Sequence, residues 1–138
     1  MTRTSGPTRR ATGDDGSAVV EFALVSVLLV MLLLGVMQVG IYLHIRNVVA
    51  ASAAEGARYG ANADVDLGQG GPRASDVIAR SLGPSTAARV PCSAAAQPGV
   101  SGSTLVAVRC RGALPVFFAP LGRLLPVDVT ARALKEGA

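Results

Sequence analysis

One carboxylate stands where this chain could do unusual chemistry. The residues Gly16-Ser17-Ala18-Val19-Val20-Glu21-Phe22 lead into an apolar stretch to Leu43 in which only Ser26, Gln38 and Tyr42 carry polar side-chain atoms. As a helix rising about 1.5 Å per residue, Phe22 to Leu43 is roughly 33 Å long, enough for a bilayer hydrocarbon core. An ionised carboxylate at the centre of such a helix costs about 2.5 to 3.5 kcal/mol, so Glu21 belongs at the entrance and calls for a cationic partner. A cut after Gly16 would create one. The new amine of Ser17 would lie four residues before Glu21, on the same helical face and about 6 Å along the axis. Glycine before that bond also lets the backbone enter a protease cleft in conformations other residues resist.

A basic leader, a glycine, four small or apolar residues, Glu21, Phe22 and a long apolar helix resemble the amino-terminal signature of type IV pilins and pseudopilins, and among these TadE. The resemblance implies that a dedicated prepilin peptidase cuts after Gly16, that Ser17 becomes the new terminus, and that Glu21, followed by Phe22, takes the fifth mature position and sets assembly register. Farther along, Ala54-Glu55-Gly56-Ala57-Arg58-Tyr59 resembles the small-residue stretch that often follows the TadE helix, and Val127-Asp128-Val129-Thr130-Ala131-Arg132-Ala133 resembles its terminal strand. Where family members often carry a basic residue next to the glycine, Asp14 and Asp15 stand here, and the arginines lie back at Arg9 and Arg10. The implied role is a minor pilin-like component of a tight-adherence (Flp-type) pilus or related secretion system. Its partners would be the membrane, the peptidase, other pilin or pseudopilin subunits and the pilus-assembly platform.

Composition narrows the alternatives. Half of the 138 residues are hydrophobic, yet only 4% are aromatic and tryptophan is absent, so much of the apolar count is the single span plus many alanines. The net charge of +4 is spread from Arg3 to Arg132 without a dense basic run or interleaved aromatics, so no nucleic-acid partner is expected. His44, the one histidine, stands at the end of the span, where an amphipathic ring suits the headgroup zone. No CxxC motif, phosphate-binding glycine loop or acidic cluster is present, and Asp64 and Asp66 read as a solvated loop. The expectation is therefore a protein that is not an enzyme, with no catalytic residues, no metal, no cofactor and no small-molecule substrate.

Arg3, Arg9 and Arg10 before the span outnumber Arg46 and Arg58 just after it, which leans toward a cytoplasmic amino end and a carboxy-terminal domain outside the cytoplasmic membrane. Cys92 and Cys110, both beyond the span, read as a disulfide formed in an oxidising compartment, with two packed thiols as the alternative. Such a bridge across nearly twenty residues would be worth about 3 kcal/mol.

The expected fold class is α+β. Residues 1–16 form a cleavable cytoplasmic leader, 17–43 a transmembrane helix and 44–138 a small exported α+β domain. The first helix continues into an amphipathic stretch with Ile45, Val49, Ser52, Gly56 and Tyr59 on one stripe, Glu55 and Arg58 as an ion pair near it, and an end near Gly60. A short second helix follows from Pro72, with Val77, Ile78, Ser81 and Leu82 as its face and Gly83-Pro84 as its stop. Alternation over Thr104–Arg111 and Val127–Ala133 predicts strands of a small antiparallel sheet, with a third strand near Arg89–Ser93. Leu114 to Leu125, interrupted by Pro115 and Pro120, reads as an apolar loop covering the sheet or meeting a membrane or another subunit. Two other classes fit less well: an uncleaved single-span anchored binding protein, and a secreted protein cut at Ala51-Ser52-Ala53, whose apolar region exceeds the usual run of about 7 to 15 residues.

Overall fold

The computed structural model describes residues 14–115 and 124–137, so the leader through Gly13 and most of the expected apolar loop, including Phe117, Phe118 and Leu121, lie outside the described residues. Helix α1 runs Asp14–Ala61, α2 Gly70–Leu82 and α3 Pro84–Arg89; the strands are β1, Cys92–Pro98, β2, Thr104–Pro115, and β3, Leu124–Leu134. The three strands form one antiparallel sheet in the order β1-β2-β3. This is the expected α+β class.

The chain divides into two compact units, Met1–Val36 and Met37–Ala138. The described part of the first is the amino-terminal half of α1, whose large apolar side chains are exposed, Phe22 at 74% and Leu33 at 67% among them. From Phe22 to Val36 Ser26 is the one polar side chain, and apolar groups around the helix suit a lipid surrounding. Among the described residues α1 is the one helix long and apolar enough to cross a membrane.

In the second unit the rest of α1 joins a core with α2 and one face of the sheet. Val49, Ala53 and Ala57 of α1 meet Ala74 and Ile78 of α2, together with Val106, Val108, Cys110 and Val127 of the sheet. Alternation decides which strand residues take part: Val106, Val108 and Cys110 are buried, whereas Arg109 and Arg111 are exposed. β3 repeats the pattern, with Val127 buried, Val129, Ala131 and Ala133 packed on the core and Asp128, Thr130 and Arg132 outside. Small residues on the helices let their backbones come close. A Cβ on Gly71 would stand 2.9 Å from the Cys92 carbonyl oxygen, so α2 lies directly on β1.

Several local expectations are corrected. Tyr59 is on the outer side of α1, stacked under the Arg73 guanidinium 5.4 Å from its ring centre; the buried stripe keeps the expected Val49, Ser52 and Gly56 and adds Ala53, Ala57 and Gly60. Glu55 pairs with Arg73 of α2 at 3.4 Å. The buried face of α2 is Gly70, Gly71, Ala74 and Ile78, with Ser81 exposed. Gly83, at φ +91°, ends α2, yet Pro84 opens α3, because proline is suited to a first helical turn as well as to a stop. α3 occupies the chain through Arg89, so the strand expected near Arg89–Ser93 begins at Cys92. The ends of the expected loop are sheet: Leu114 pairs with Leu125, and Pro115 with Leu124. Pro126 is accommodated because β3 lies at the edge of the sheet, where a missing N–H leaves no partner unmet.

The carboxy-terminal segment closes the unit in a way the sequence reading did not foresee. The Lys135 ammonium donates to the carbonyl oxygens of Gly60, Asn62 and Val65 at 3.2, 2.6 and 2.8 Å. The Glu136 N–H donates to the Ala61 carbonyl at 2.8 Å. A cation and a backbone donor thus satisfy carbonyls at the end of α1, where a helix leaves them unpaired and its dipole is negative.

Candidate assembly helix and processing site

The described part of helix α1 starts at Asp14 and includes Gly16 and Ser17. A Cβ on Gly16 would meet nothing within 4 Å. No packing within the described residues therefore requires a glycine there, in contrast to Gly56, Gly70 and Gly71 in the folded unit. Glu21 follows Ser17 by one helical turn; both are exposed, and Glu21 makes no ion pair among the described residues. Phe22, next to it, projects its ring into open space. The helix thus presents a carboxylate, an aromatic ring and an apolar surface that the chain's own described residues leave uncovered.

The other sites expected from the sequence lie in the second unit. Cys92 and Cys110 are joined by a disulfide, directly opposite each other in the β1–β2 ladder and 18 residues apart in sequence. The bridge ties the first residue of an edge strand to the central strand, under the layer formed by α2. Replacing both cysteines by alanine should lower the unfolding free energy by about 3 kcal/mol, from the loop entropy the bridge removes from the unfolded chain. Denaturant titration of oxidised parent and double variant checks this, and equal midpoints would show the bridge to be energetically idle.

Around the bridge the outer sheet face is charged. The Arg109 Nε donates to Asp128 Oδ1 at 2.8 Å, a second bond forms through its Nη2, and the Arg111 Nε lies 3.5 Å from Asp128 Oδ2. The hydrogen bond from Arg109 holds the Asp128 carboxyl below its ordinary range, and the same pairing raises Arg109. Arg109, Arg111 and Asp128 form a charged group across β2 and β3 on the solvent side. Among the described residues no group of three or more His, Cys, Asp or Glu side chains could hold a metal ion. His44 is exposed. Asp66 caps the 3-10 turn Leu67–Gln69, its Oδ1 accepting from the Gly68 N–H at 2.7 Å, while Asp64 lies in the loop before it.

Two polar residues of the apolar stretch acquire a meaning only in the fold. The Tyr42 hydroxyl donates to the Pro126 carbonyl at 3.0 Å, tying α1 to β3. Gln38 is buried, and neither of its side-chain amide atoms has a hydrogen-bond partner among the described residues. The signal for both was present in the sequence as polarity inside an apolar run; their contacts were not.

Comparison with protein families matches residues 16–58 to TadE, described as TadE-like protein. The match starts on Gly16, runs through the whole apolar stretch and stops at Arg58, so it covers less than half of the chain. It is the family indicated by the amino-terminal signature, and it supports a pilus-associated, pseudopilin-type role in general. Comparisons with curated proteins and with solved structures give no match.

Proposed function

We propose, from the TadE-like character of residues 16–58, that this chain is a minor pilin-like component of a tight-adherence (Flp-type) pilus or a related secretion system. The observation that carries the reading is the coincidence of that family match with a helix whose apolar surface is uncovered and whose entrance holds Glu21. A prepilin peptidase removes the leader by cutting between Gly16 and Ser17. Glycine is a poor helix former by about 1 kcal/mol, so the helix opens locally at Gly16 at lower cost than at another residue to present that bond. The freed Ser17 amine then pairs with Glu21 of its own or an adjacent subunit, and the apolar helix packs laterally with other pilin helices.

In this reading the amino end faces the cytoplasm and the second unit lies outside the cytoplasmic membrane. The Cys92–Cys110 bridge supports that side, because disulfides persist in oxidising compartments. The role is structural. Charge attraction and apolar packing do the work, and no bond is made or broken by the chain's own side chains.

Co-expression with an active prepilin peptidase tests the reading. Intact-mass measurement should find a product starting at Ser17, and Gly16→Ala should reduce its amount. A full-length mass beside an active peptidase would overturn processing and favour an uncleaved single-span anchor.

A further inference from the structure

The second unit contains a cleft of about 220 Å³ between α1, α3 and the base of the β2–β3 hairpin. Ile41, Ile45, Leu114 and Leu125 give it apolar walls, and Ser85 and Arg89 give it a polar side. Gln38 also lines it. That residue is only 8% exposed, and both amide atoms lack a partner among the described residues. Buried amides are nearly always paired, so one left open beside a cleft is a place reserved for a ligand's acceptor or donor.

The remaining polar groups are of two kinds. Tyr42 and Thr86 are already engaged, through the Pro126 carbonyl at 3.0 Å and the Leu82 carbonyl at 3.1 Å. The Ser85 hydroxyl and the Arg89 guanidinium have no side-chain partner among the described residues, and no carboxylate lines the cleft. Among the described residues the cleft holds one cation and no counter-charge, which favours an anion, and a guanidinium beside a hydroxyl suits a phosphate.

The geometry points to a binding site for one anionic glycerophospholipid, taken from the leaflet next to the folded unit; this rests on the membrane reading above. The site occupies the carboxy-terminal end of the apolar stretch, where Gln38 precedes Ile45 by seven residues, about 10 Å along the helix. A glycerophospholipid arranges its groups in the matching order, with the phosphate outermost, ester carbonyls a few ångströms deeper and acyl chains below. Arg89 and Ser85 take the phosphate, the Gln38 amide at the deep end donates to an ester carbonyl, and the glycerol between them passes Ile41 and Ile45. The cleft, about 220 Å³, is of a size for a phosphate and its glycerol esters and too small for a helix from another protein.

Native mass spectrometry of the full chain, released from nanodiscs of mixed phosphatidylglycerol and phosphatidylcholine, reads the site directly. One phosphatidylglycerol should be retained in preference to phosphatidylcholine. Arg89→Gln should reduce that retention roughly tenfold, the loss of a charge-assisted bond. Gln38→Leu, which removes an unpaired amide without adding a new polar group, should weaken both lipids. Arg132→Gln, a change on the outer sheet face, should leave retention at the parental level. Equal retention of the two lipids, an unchanged Arg89→Gln, or displacement by millimolar glycerol phosphate would overturn the proposal, the last by showing a site for free phosphate. Vesicle flotation scores insertion separately: a chain that floats without lipid preference overturns the lipid site alone, and one that fails to float overturns the membrane reading with it.

Discussion

Glu21→Val is expected to insert into the membrane at least as well as the parent and to lose co-purification with its partner pilins. Glu21→Gln should do the same while keeping the size and shape of the side chain, which separates charge from packing. In the assembly proposed above, the cause is the register the carboxylate would impose. Where the Ser17 amine of one subunit meets Glu21 of an adjacent one, the carboxylate is neutralised, whereas a subunit shifted along the axis would leave both charges buried and unpaired. Breaking a buried pair in this way costs about 3 to 5 kcal/mol, more than a hundredfold in the population of slipped arrangements. Valine leaves the Ser17 amine without a partner in every register, so the registers become equivalent and no single assembly is favoured. Pull-down of tagged subunits from detergent-solubilised membranes measures the effect. Parental yields from both variants would end the register argument while leaving the apolar packing of α1 intact.

Gly56→Val should abolish the folded state of the second unit. A Cβ at this position would stand 2.8 Å from the Ala74 Cβ and 3.2 Å from the Ala74 backbone nitrogen, and closer still to the Gly70 carbonyl oxygen. These are mostly backbone atoms, which cannot move aside as the end of a long side chain can. Even Gly56→Ala forces α1 and α2 apart, and overpacking of this kind costs about 1 to 3 kcal/mol, above the roughly 1 kcal/mol that alanine returns in helix propensity. Valine adds two further methyl groups to the same contact, in a domain whose whole stability is on the order of 5 to 15 kcal/mol. Gly40→Ala is the control, since a Cβ there meets nothing within 4 Å, and it should match or slightly exceed the parent. Thermal unfolding of the full chain in detergent compares the three. A Gly56→Val variant melting with the parent would show that the two helices can separate freely.

The two positions differ in how legible they were. Gly56 was visible in the sequence as a member of a helical stripe, but so was Tyr59, which the fold places outside under Arg73. Periodicity tells which residues share a face and is blind to how closely the opposing backbone approaches. The glycine on the facing helix, Gly70, supplies that closeness, and nothing local to Gly56 announces it. Lys135 is a similar case: a lone lysine near the end of the sequence carries no pattern, and its role arises because β3 ends beside the last carbonyls of α1. α3 was hidden for another reason, since Gly83-Pro84 serves equally as a stop for one helix and a start for the next.

What the sequence by itself determined are the properties carried by neighbours along the chain: a span of membrane length, Glu21 at its entrance after Gly16, two alternating strands, and the α+β order of elements. Helical and strand periods, and the transfer cost of a charge, act over a few residues and need no fold to be evaluated. The tertiary structure alone decided which small residues are indispensable, which arginine pairs with Glu55, how Cys92 meets Cys110 in the ladder, and that Gln38 lies buried beside a cleft holding Arg89. Each of those depends on residues distant in sequence being brought within a few ångströms, and that separation is set by close packing of whole elements, which no local pattern encodes.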